Sequence, residues 1–141
     1  MKIPIEELQY KAANYDLDYT TLVESYGYEI INRISLGSYS GDIIMIVGNN
    51  NGKYGLLTTC FGSCSGCDEL QSCGENIAKL DKLRTSLCEG VIFRSADELI
   101  EYMENKDWEL EHYTIESKTE QFKEFLEQSK EELIFRQLAR I

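Results

Sequence analysis

The stretch that decides the fold is Asp42-Ile43-Ile44-Met45-Ile46-Val47-Gly48, followed by Asn49-Asn50-Asn51-Gly52 and then Lys53-Tyr54-Gly55-Leu56-Leu57-Thr58-Thr59-Cys60-Phe61. Its first part is an aliphatic run bounded by turn residues, which is typical of a buried strand. The asparagines tolerate positive φ and end in an Asn-Gly pair, the strongest short-range hairpin signal. Residues 42–48 and 53–61 are therefore predicted to pair antiparallel.

The chain before this hairpin predicts two helices and one more strand. Pro4 suits a first helical turn, and Ile5, Leu8 and Ala12 fall on one side of a short amphipathic helix over residues 4–14. Residues 19–28 mix β-branched and aromatic residues, and we interpret them as a helix that ends at a glycine. Residues 29–36 mix aliphatic and polar residues before a glycine-rich turn, which predicts a strand.

The chain after the hairpin alternates helix and strand signals. Apolar residues recur at three- and four-residue steps from Leu70 to Leu87, which predicts a helix packed on the sheet. Residues 91–93 predict a short strand, and a capping box at Ser95-Ala96-Asp97-Glu98 begins another helix. Residues 107–115 alternate in the manner of a half-buried strand.

A last helix is predicted from about Thr119 to Ala139. Its apolar stripe consists of Phe122, Phe125, Leu126, Leu133 and Leu138. Such a stripe can dock on the sheet or mediate assembly into a homo-oligomer.

These elements predict one α+β domain over residues 1–141. It has an N-terminal helical region (1–28), a sheet–helix core (29–116) and a C-terminal helix (117–141). The predicted sheet is mainly antiparallel, with four to five strands, helices packed on it and a long C-terminal amphipathic helix. A chain of 141 residues, 43% hydrophobic, is long enough for one core without metal or disulfide staples.

The expected compartment is the cytoplasm. The longest aliphatic run is residues 43–47, far short of the roughly 20 apolar residues of a membrane span. The first residues become acidic at once and lack the apolar core of a secretory signal.

The charge is strongly negative and unevenly distributed. The chain has 25 acidic and 14 basic residues, a formal net charge of −11. Eleven carboxylates and three lysines fall within residues 95–127. Direct nucleic-acid binding is disfavoured, because a polyanion needs Lys and Arg to displace its counterions. The surface is then either a solvated, self-repelling one or an anionic face that docks on a basic partner.

Tyrosine beside carboxylates favours a binding surface over an active site. Tyr and Trp are enriched at protein interfaces, and the chain has nine tyrosines. The one histidine, His112, has no serine elbow around it, which disfavours nucleophilic catalysis. The candidate binding residues are Glu98, Glu101, Glu104, Asp107, Glu109, Glu111, Tyr113 and Glu116.

The cysteines offer a second, metal-based hypothesis. Cys64 and Cys67, with Cys73 as a third ligand, have a spacing that suits zinc, and Cys60 precedes them by a further three-residue gap. The second pair that usually completes a tetrahedral site is missing, and the place of Cys73 in an apolar stripe favours a buried small hydrophobe. Because the expected compartment is reducing, the five cysteines are not expected to form a structural disulfide framework.

Three further interpretations of the segment from Gly62 to Asp68 stay open. Cys64 and Cys67 precede a helix N-terminus, which lowers thiol pKa values and suits thiol redox chemistry. A thioredoxin-like enzyme is disfavoured, because the chain has no proline besides Pro4. The turn could instead bind an anion or small ligand, although no nucleotide-binding motif is present. The simplest interpretation is a tight connector built from small residues.

A resemblance joins several of these segments. Residues 39–42, residues 53–56 and the run from Phe61 to Cys73, with its core Gly62-Ser63-Cys64-Ser65-Gly66-Cys67-Asp68, are similar to a group of small uncharacterised proteins from bacteriophages and bacterial genomes. The similarity covers roughly residues 39–105 and brings no known activity. It implies a phage context, in which small acidic proteins often bind and disable host nucleases. The resulting expectation is an inhibitor or adaptor of the anti-defence type, such as an anti-CRISPR protein, that engages a basic, nucleic-acid-binding host protein.

Overall fold

The computed structural model describes residues 2–14, 17–37, 41–62, 68–106, 108 and 119–139. A 3₁₀ turn at Ile5–Leu8 leads into α1 (Gln9–Ala13), and α2 is Tyr19–Ser25. The strands are β1 (Glu29–Gly37), β2 (Gly41–Gly48) and β3 (Tyr54–Phe61). The later helices are α3 (Glu69–Cys73), α4 (Ile77–Glu89), α5 (Ala96–Asn105) and α6 (Thr119–Ala139). The fold is α+β, as predicted.

The three strands form one antiparallel sheet in the order β1-β2-β3. The predicted hairpin is confirmed, with Gly48 opposite Tyr54 and Gly41 opposite Phe61. Its turn is closed by the Asn49 side chain, whose Oδ1 accepts hydrogen bonds from the backbone N–H groups of residues 51 and 53 at 2.9 and 3.0 Å. Gly52 has a φ of +74°, the conformation that an Asn-Gly turn supplies without strain.

Strand β2 is buried on both faces, because helices cover both sides of the sheet. All eight of its residues are buried. Ile43, Met45 and Val47 belong to the core on one side, and Ile44 and Ile46 to the core on the other. The period-2 alternation of a strand thus divides one aliphatic run between two hydrophobic cores.

The 3₁₀ turn and α1–α4 form what we call the N-terminal layer. Leu22, Val23, Leu80 and Cys88 are fully buried there against the odd-numbered residues of β2. The layer therefore combines helices that precede β1 in the sequence with helices that follow β3.

Helices α5 and α6 form the C-terminal layer on the opposite face. Leu99, Phe122 and Leu133 pack with Ile34 and Ile44 in its core. Asn32 Nδ2 donates to the Oγ of the buried Ser129 at 3.1 Å, which fixes α6 against β1. The C-terminal helix thus docks on the sheet, although Leu138, predicted in its apolar stripe, is 63% exposed.

The predicted strand count of four to five is too high for the described residues, whose sheet has three strands. Residues 91–93 form no strand and only a single bridge joins Arg94 to Tyr54. A Cβ at Gly55 would collide with Val91 Cγ1, so this segment crosses closely over β3. The predicted strand at 107–115 lies outside the described residues except for Trp108, which is in no regular element.

The single helix predicted from Leu70 to Leu87 is two helices. It breaks between Cys73 and Ile77, where Gly74 has a φ of +52° and Asn76 caps α4 by accepting from Lys79 N at 3.1 Å. The predicted capping box of α5 is confirmed, with Ser95 Oγ accepting from Glu98 N at 3.2 Å. In the described part of the chain, no helix is both long and apolar enough to cross a membrane.

Candidate functional site

The Asp68 carboxylate clamps the connection between β3 and α3. Its Oδ1 accepts from Leu70 N at 2.9 Å, Gln71 N at 3.2 Å and the Tyr19 hydroxyl at 2.8 Å. Its Oδ2 accepts from Gly62 N at 3.0 Å. A carboxylate that is 93% removed from solvent is stabilised only when its oxygens are bonded in this way, so the cluster is one structural unit.

The clamp bears directly on the anion hypothesis for the Gly62–Asp68 turn. The backbone N–H groups of Leu70 and Gln71 at the start of α3 already donate to Asp68, so they are not available to bind a ligand anion. Gln71 Nε2 also donates to the Gly62 carbonyl at 2.8 Å. Both sides of the undescribed segment 63–67 are therefore tied to α3, which favours a structural connector.

Tyr19 serves the same clamp from α2. Burial raises the pKa of the Tyr19 hydroxyl above its ordinary value; the hydrogen bond from the Leu70 amide lowers it by less than burial raises it, and the bond to Asp68 adds a further increase. The phenol therefore stays protonated and donates to Asp68 over the physiological pH range. This contact could not be predicted from the sequence, because Tyr19 and Asp68 lie 49 residues apart.

Two of the three cysteines that the structure describes, Cys73 and Cys88, are buried thiols. Cys73 Sγ donates to the Glu69 carbonyl at 3.2 Å, and burial, then the Glu69 charge, raises the pKa of its thiol. Burial raises the pKa of Cys88 to about 12. Both effects keep the sulfur protonated, whereas zinc needs the thiolate.

The structure describes one of the three cysteines of the zinc hypothesis, Cys73. Cys64 and Cys67 lie in segment 63–67, outside the described residues. Among the described residues, no group of three Cys, His, Asp or Glu side chains could hold a metal ion. Zinc binding by Cys64, Cys67 and Cys73 therefore stays a prediction.

The predicted acidic surface is partly described. Glu98, Glu101 and Glu104 are exposed along α5. Glu98 belongs to the capping box, and Glu104 is 3.3 Å from Lys130 Nζ of α6. The remaining predicted binding residues lie outside the described residues, and they are Asp107, Glu109, Glu111, Tyr113 and Glu116.

The negative charge of the C-terminal layer exceeds that of the N-terminal layer. Helices α5 and α6 have nine carboxylates and three basic residues, a net charge of −6. The 3₁₀ turn and α1–α4 have six carboxylates and four basic residues, a net charge of −2. Eight of the nine carboxylates on α5 and α6 are exposed. Two of the three basic residues, Lys130 and Arg136, are already paired with carboxylates.

A basic and aromatic cluster interrupts this acidic face. The Arg94 guanidinium lies 4.1 Å from the centroid of the Tyr102 ring, and Lys106 Nζ lies 5.6 Å from it. Together with Glu98 and Glu101 they line a shallow groove of about 370 Å³. Charged groups of both signs stand around one aromatic ring, an arrangement typical of selective protein contacts.

A larger cleft, of about 800 Å³, opens on the other side of the sheet. Its floor is formed by Arg33, Ser35 and Ile43 of the strands. Its walls include Leu17 and Tyr19 beside α2, and Phe61, Leu70 and Gln71 beside the Asp68 clamp. The volume is within the range of small-molecule sites.

The cleft exists because the last residues of β1 present polar or small groups, not large apolar ones, to the N-terminal layer. Ile34 and Leu36 point to the C-terminal layer and are buried, whereas Arg33, Ser35 and Gly37 point to the other side and are not. Polar and small residues at alternate positions of an otherwise apolar strand were the available sequence signal for this site.

Comparisons with protein-family models, with curated proteins and with solved structures find no match to the chain. The similarity of residues 39–105 to small phage and bacterial proteins therefore stays a prediction. Any function must be inferred from the two surfaces described above.

Proposed function

We propose that this protein is a protein-binding inhibitor or adaptor whose C-terminal layer engages a basic, nucleic-acid-binding protein. The observation that carries this proposal is the net charge of −6 on α5 and α6, with eight exposed carboxylates. An anionic helical face of this kind attracts a groove lined by Lys and Arg and speeds the encounter with it. Such a groove in a nuclease binds nucleic acid, so its occupation would inhibit the enzyme.

The Arg94–Tyr102 cluster supplies the specificity that charge alone lacks. Tyr102 is half-buried and stacked beneath a guanidinium, so it presents a rigid aromatic contact at little cost in side-chain entropy. A partner must then complement one aromatic group and two cations within an acidic surround. The phage resemblance adds the expectation that the target is a host defence nuclease.

The experiment compares two triple variants that change the net charge equally, from −11 to −8. Glu98→Gln, Glu101→Gln and Glu131→Gln neutralise the C-terminal layer, and glutamine at 98 preserves the capping box. The matched control neutralises three exposed carboxylates of the N-terminal layer with Glu6→Gln, Glu7→Gln and Glu24→Gln. Each protein is used to capture partners from a bacterial lysate, and the affinity for the main basic partner is then measured at two salt concentrations.

The C-terminal-layer variant should bind about tenfold more weakly and depend less on salt, because each rim charge contributes roughly 0.2–1 kcal/mol. The control should bind like the wild-type protein and should still block the partner's binding of nucleic acid. Equal affinity of both variants would contradict the proposal, as would a partner that binds nucleic acid normally in the complex.

A further inference from the structure

We propose that the cleft between β1, α2 and the Asp68 clamp binds a small anionic molecule, a carboxylate or phosphate on an aromatic or aliphatic body. The site lies on the face of the sheet opposite to α5 and α6, so it is independent of the proposed partner surface. The residues of this site play no part in the partner surface proposed on α5 and α6.

The charge of the expected ligand follows from Arg33. Arg33 is the only basic residue among the described residues that line the cleft. Its Nη2 donates to Ser35 Oγ at 3.0 Å, which holds the guanidinium over the floor of the cleft. A guanidinium has five N–H donors in a planar fork and binds carboxylates and phosphates through two of them at once.

The two carboxylates in the cleft are engaged elsewhere. Asp68 accepts from four donors of the clamp. Asp18 caps α2 by accepting from Thr21 N at 2.7 Å. Within the described part of the chain, neither carboxylate forms an ion pair with Arg33, so the guanidinium has donors that a ligand anion can reach.

The body of the expected ligand follows from the walls. Leu17, Ile43, Phe61 and Leu70 supply apolar surface around the guanidinium. Gln71 lines the same cleft, and its Nε2 is already bound to the Gly62 carbonyl, so its position is fixed. An apolar enclosure with a few fixed polar and charged groups is the usual composition of a small-molecule site.

The test is a titration of the full-length ¹⁵N-labelled protein, followed by NMR, with phenyl phosphate, benzoate and the neutral benzyl alcohol. We expect one of the two anions to bind with a Kd of about 1 mM or tighter, a range suited to ligands of this size. Amide shifts should concentrate at residues 17–19, 33–37 and 68–71. Whichever anion binds more tightly identifies the carboxylate or the phosphate as the preferred group.

Arg33→Gln should weaken that binding by about tenfold or more, because it removes a charge-assisted hydrogen bond. Lys82→Gln is the matched control, since Lys82 is an exposed residue of the same layer that does not line the cleft. Arg33 is exposed, so its replacement leaves the core intact. Equal binding by Arg33→Gln, equal binding of benzyl alcohol, or no saturation by either anion up to roughly 10 mM, ten times the expected Kd, would overturn the proposal.

Discussion

The two helical layers differ in whether their polar side chains are buried or exposed. The N-terminal layer buries Ser25, Asp68 and Arg84, and each of them takes part in a hydrogen bond to a distant segment of the chain. Arg84, 2% exposed, donates to the Ile3 carbonyl and to Ser25 Oγ. Among the described residues of α5 and α6, only Ser129 is a buried polar side chain.

This difference indicates a division of roles between the faces of one sheet. Specific polar bonds hold the N-terminal layer around a cleft, and they fix its shape more sharply than apolar contact alone. The C-terminal layer is held by an apolar core and places its charges in solvent, where a partner can reach them. A ligand site and a partner surface can therefore change independently in sequence.

The first prediction concerns substitutions at adjacent residues of β2, each of which weakens the core of one layer. Ile44→Ala and Met45→Ala each remove a fully buried side chain, one from each core, and should each lower the free energy of unfolding by about 3 kcal/mol. Urea unfolding is followed by far-ultraviolet circular dichroism and by the fluorescence of Trp108, which packs on Phe122 of α6. Because both layers share β2, the two signals should change together in both variants. A Met45→Ala protein that loses helix while Trp108 keeps its native signal would show that the layers are separate.

The second prediction compares the polar bonds of the two layers. Asp68→Ala leaves several buried donors without an acceptor and should cost about 2–3 kcal/mol. Ser129→Ala removes one bond to Asn32 and should cost only about 1 kcal/mol. Urea midpoints of both variants at constant slope measure the difference, and equal losses would contradict the contrast between the layers.

The third prediction uses alkaline pH to weaken the N-terminal layer. Burial raises the pKa of the Cys88 thiol from 9.0 to about 12, so the folded state favours the protonated form. The resulting stability is complete below pH 9, and it is lost as the pH rises from there towards 12. At pH 10 the loss from this thiol should be on the order of 1 kcal/mol relative to pH 8.

Tyr28, whose pKa burial also raises to about 12, adds to this loss in the same direction. Cys88→Ala removes the thiol and should reduce the slope of stability against pH above 9, whatever its effect at pH 8. An unchanged slope, measured by urea unfolding between pH 8 and 10, would show that the buried thiol does not set the alkaline limit.

The fourth and smallest effect concerns helix caps, where the layers should be alike. Asn76→Ala removes the cap of α4 and Ser95→Ala that of α5, and each should cost about 1 kcal/mol. Thermal unfolding should show similar decreases in Tm for the two. Threonine at position 95 should restore most of the loss, because its hydroxyl accepts the same bond, whereas no recovery would place the effect elsewhere.

Local signals in the sequence were sufficient for most of the fold. The Asn49–Gly52 turn and the Ser95–Glu98 box act over a few residues, so their outcome could be predicted. One failure was local, since Gly74 and the Asn76 cap divide the helix predicted from Leu70 to Leu87, and another involves a tertiary contact. Residues 91–93 have strand-forming side chains, but their close crossing over Gly55 leaves only one bridge to β3.

The candidate sites were harder to predict for the same reason. The exposure of Glu98, Glu101 and Glu104 follows from helix periodicity and was predicted from the sequence. The cleft depends on Arg33 meeting residues near Asp68, and such a distant pairing leaves no trace in a single sequence. The sequence singled out the segment Gly62–Asp68, but not the hydrogen bonds by which the buried Asp68 carboxylate ties its two ends.

Burial of β2 on both faces has a consequence for hydrogen exchange. Its backbone is bonded to a strand on each side, and its side chains hold both cores, so no partial opening can release it. Its amides should exchange with deuterium only through global unfolding and should be the slowest in the chain. A ligand in the cleft or a partner on the acidic face would then slow the same β2 amides. Exchange at this strand therefore reports occupancy of either face without a label on either site.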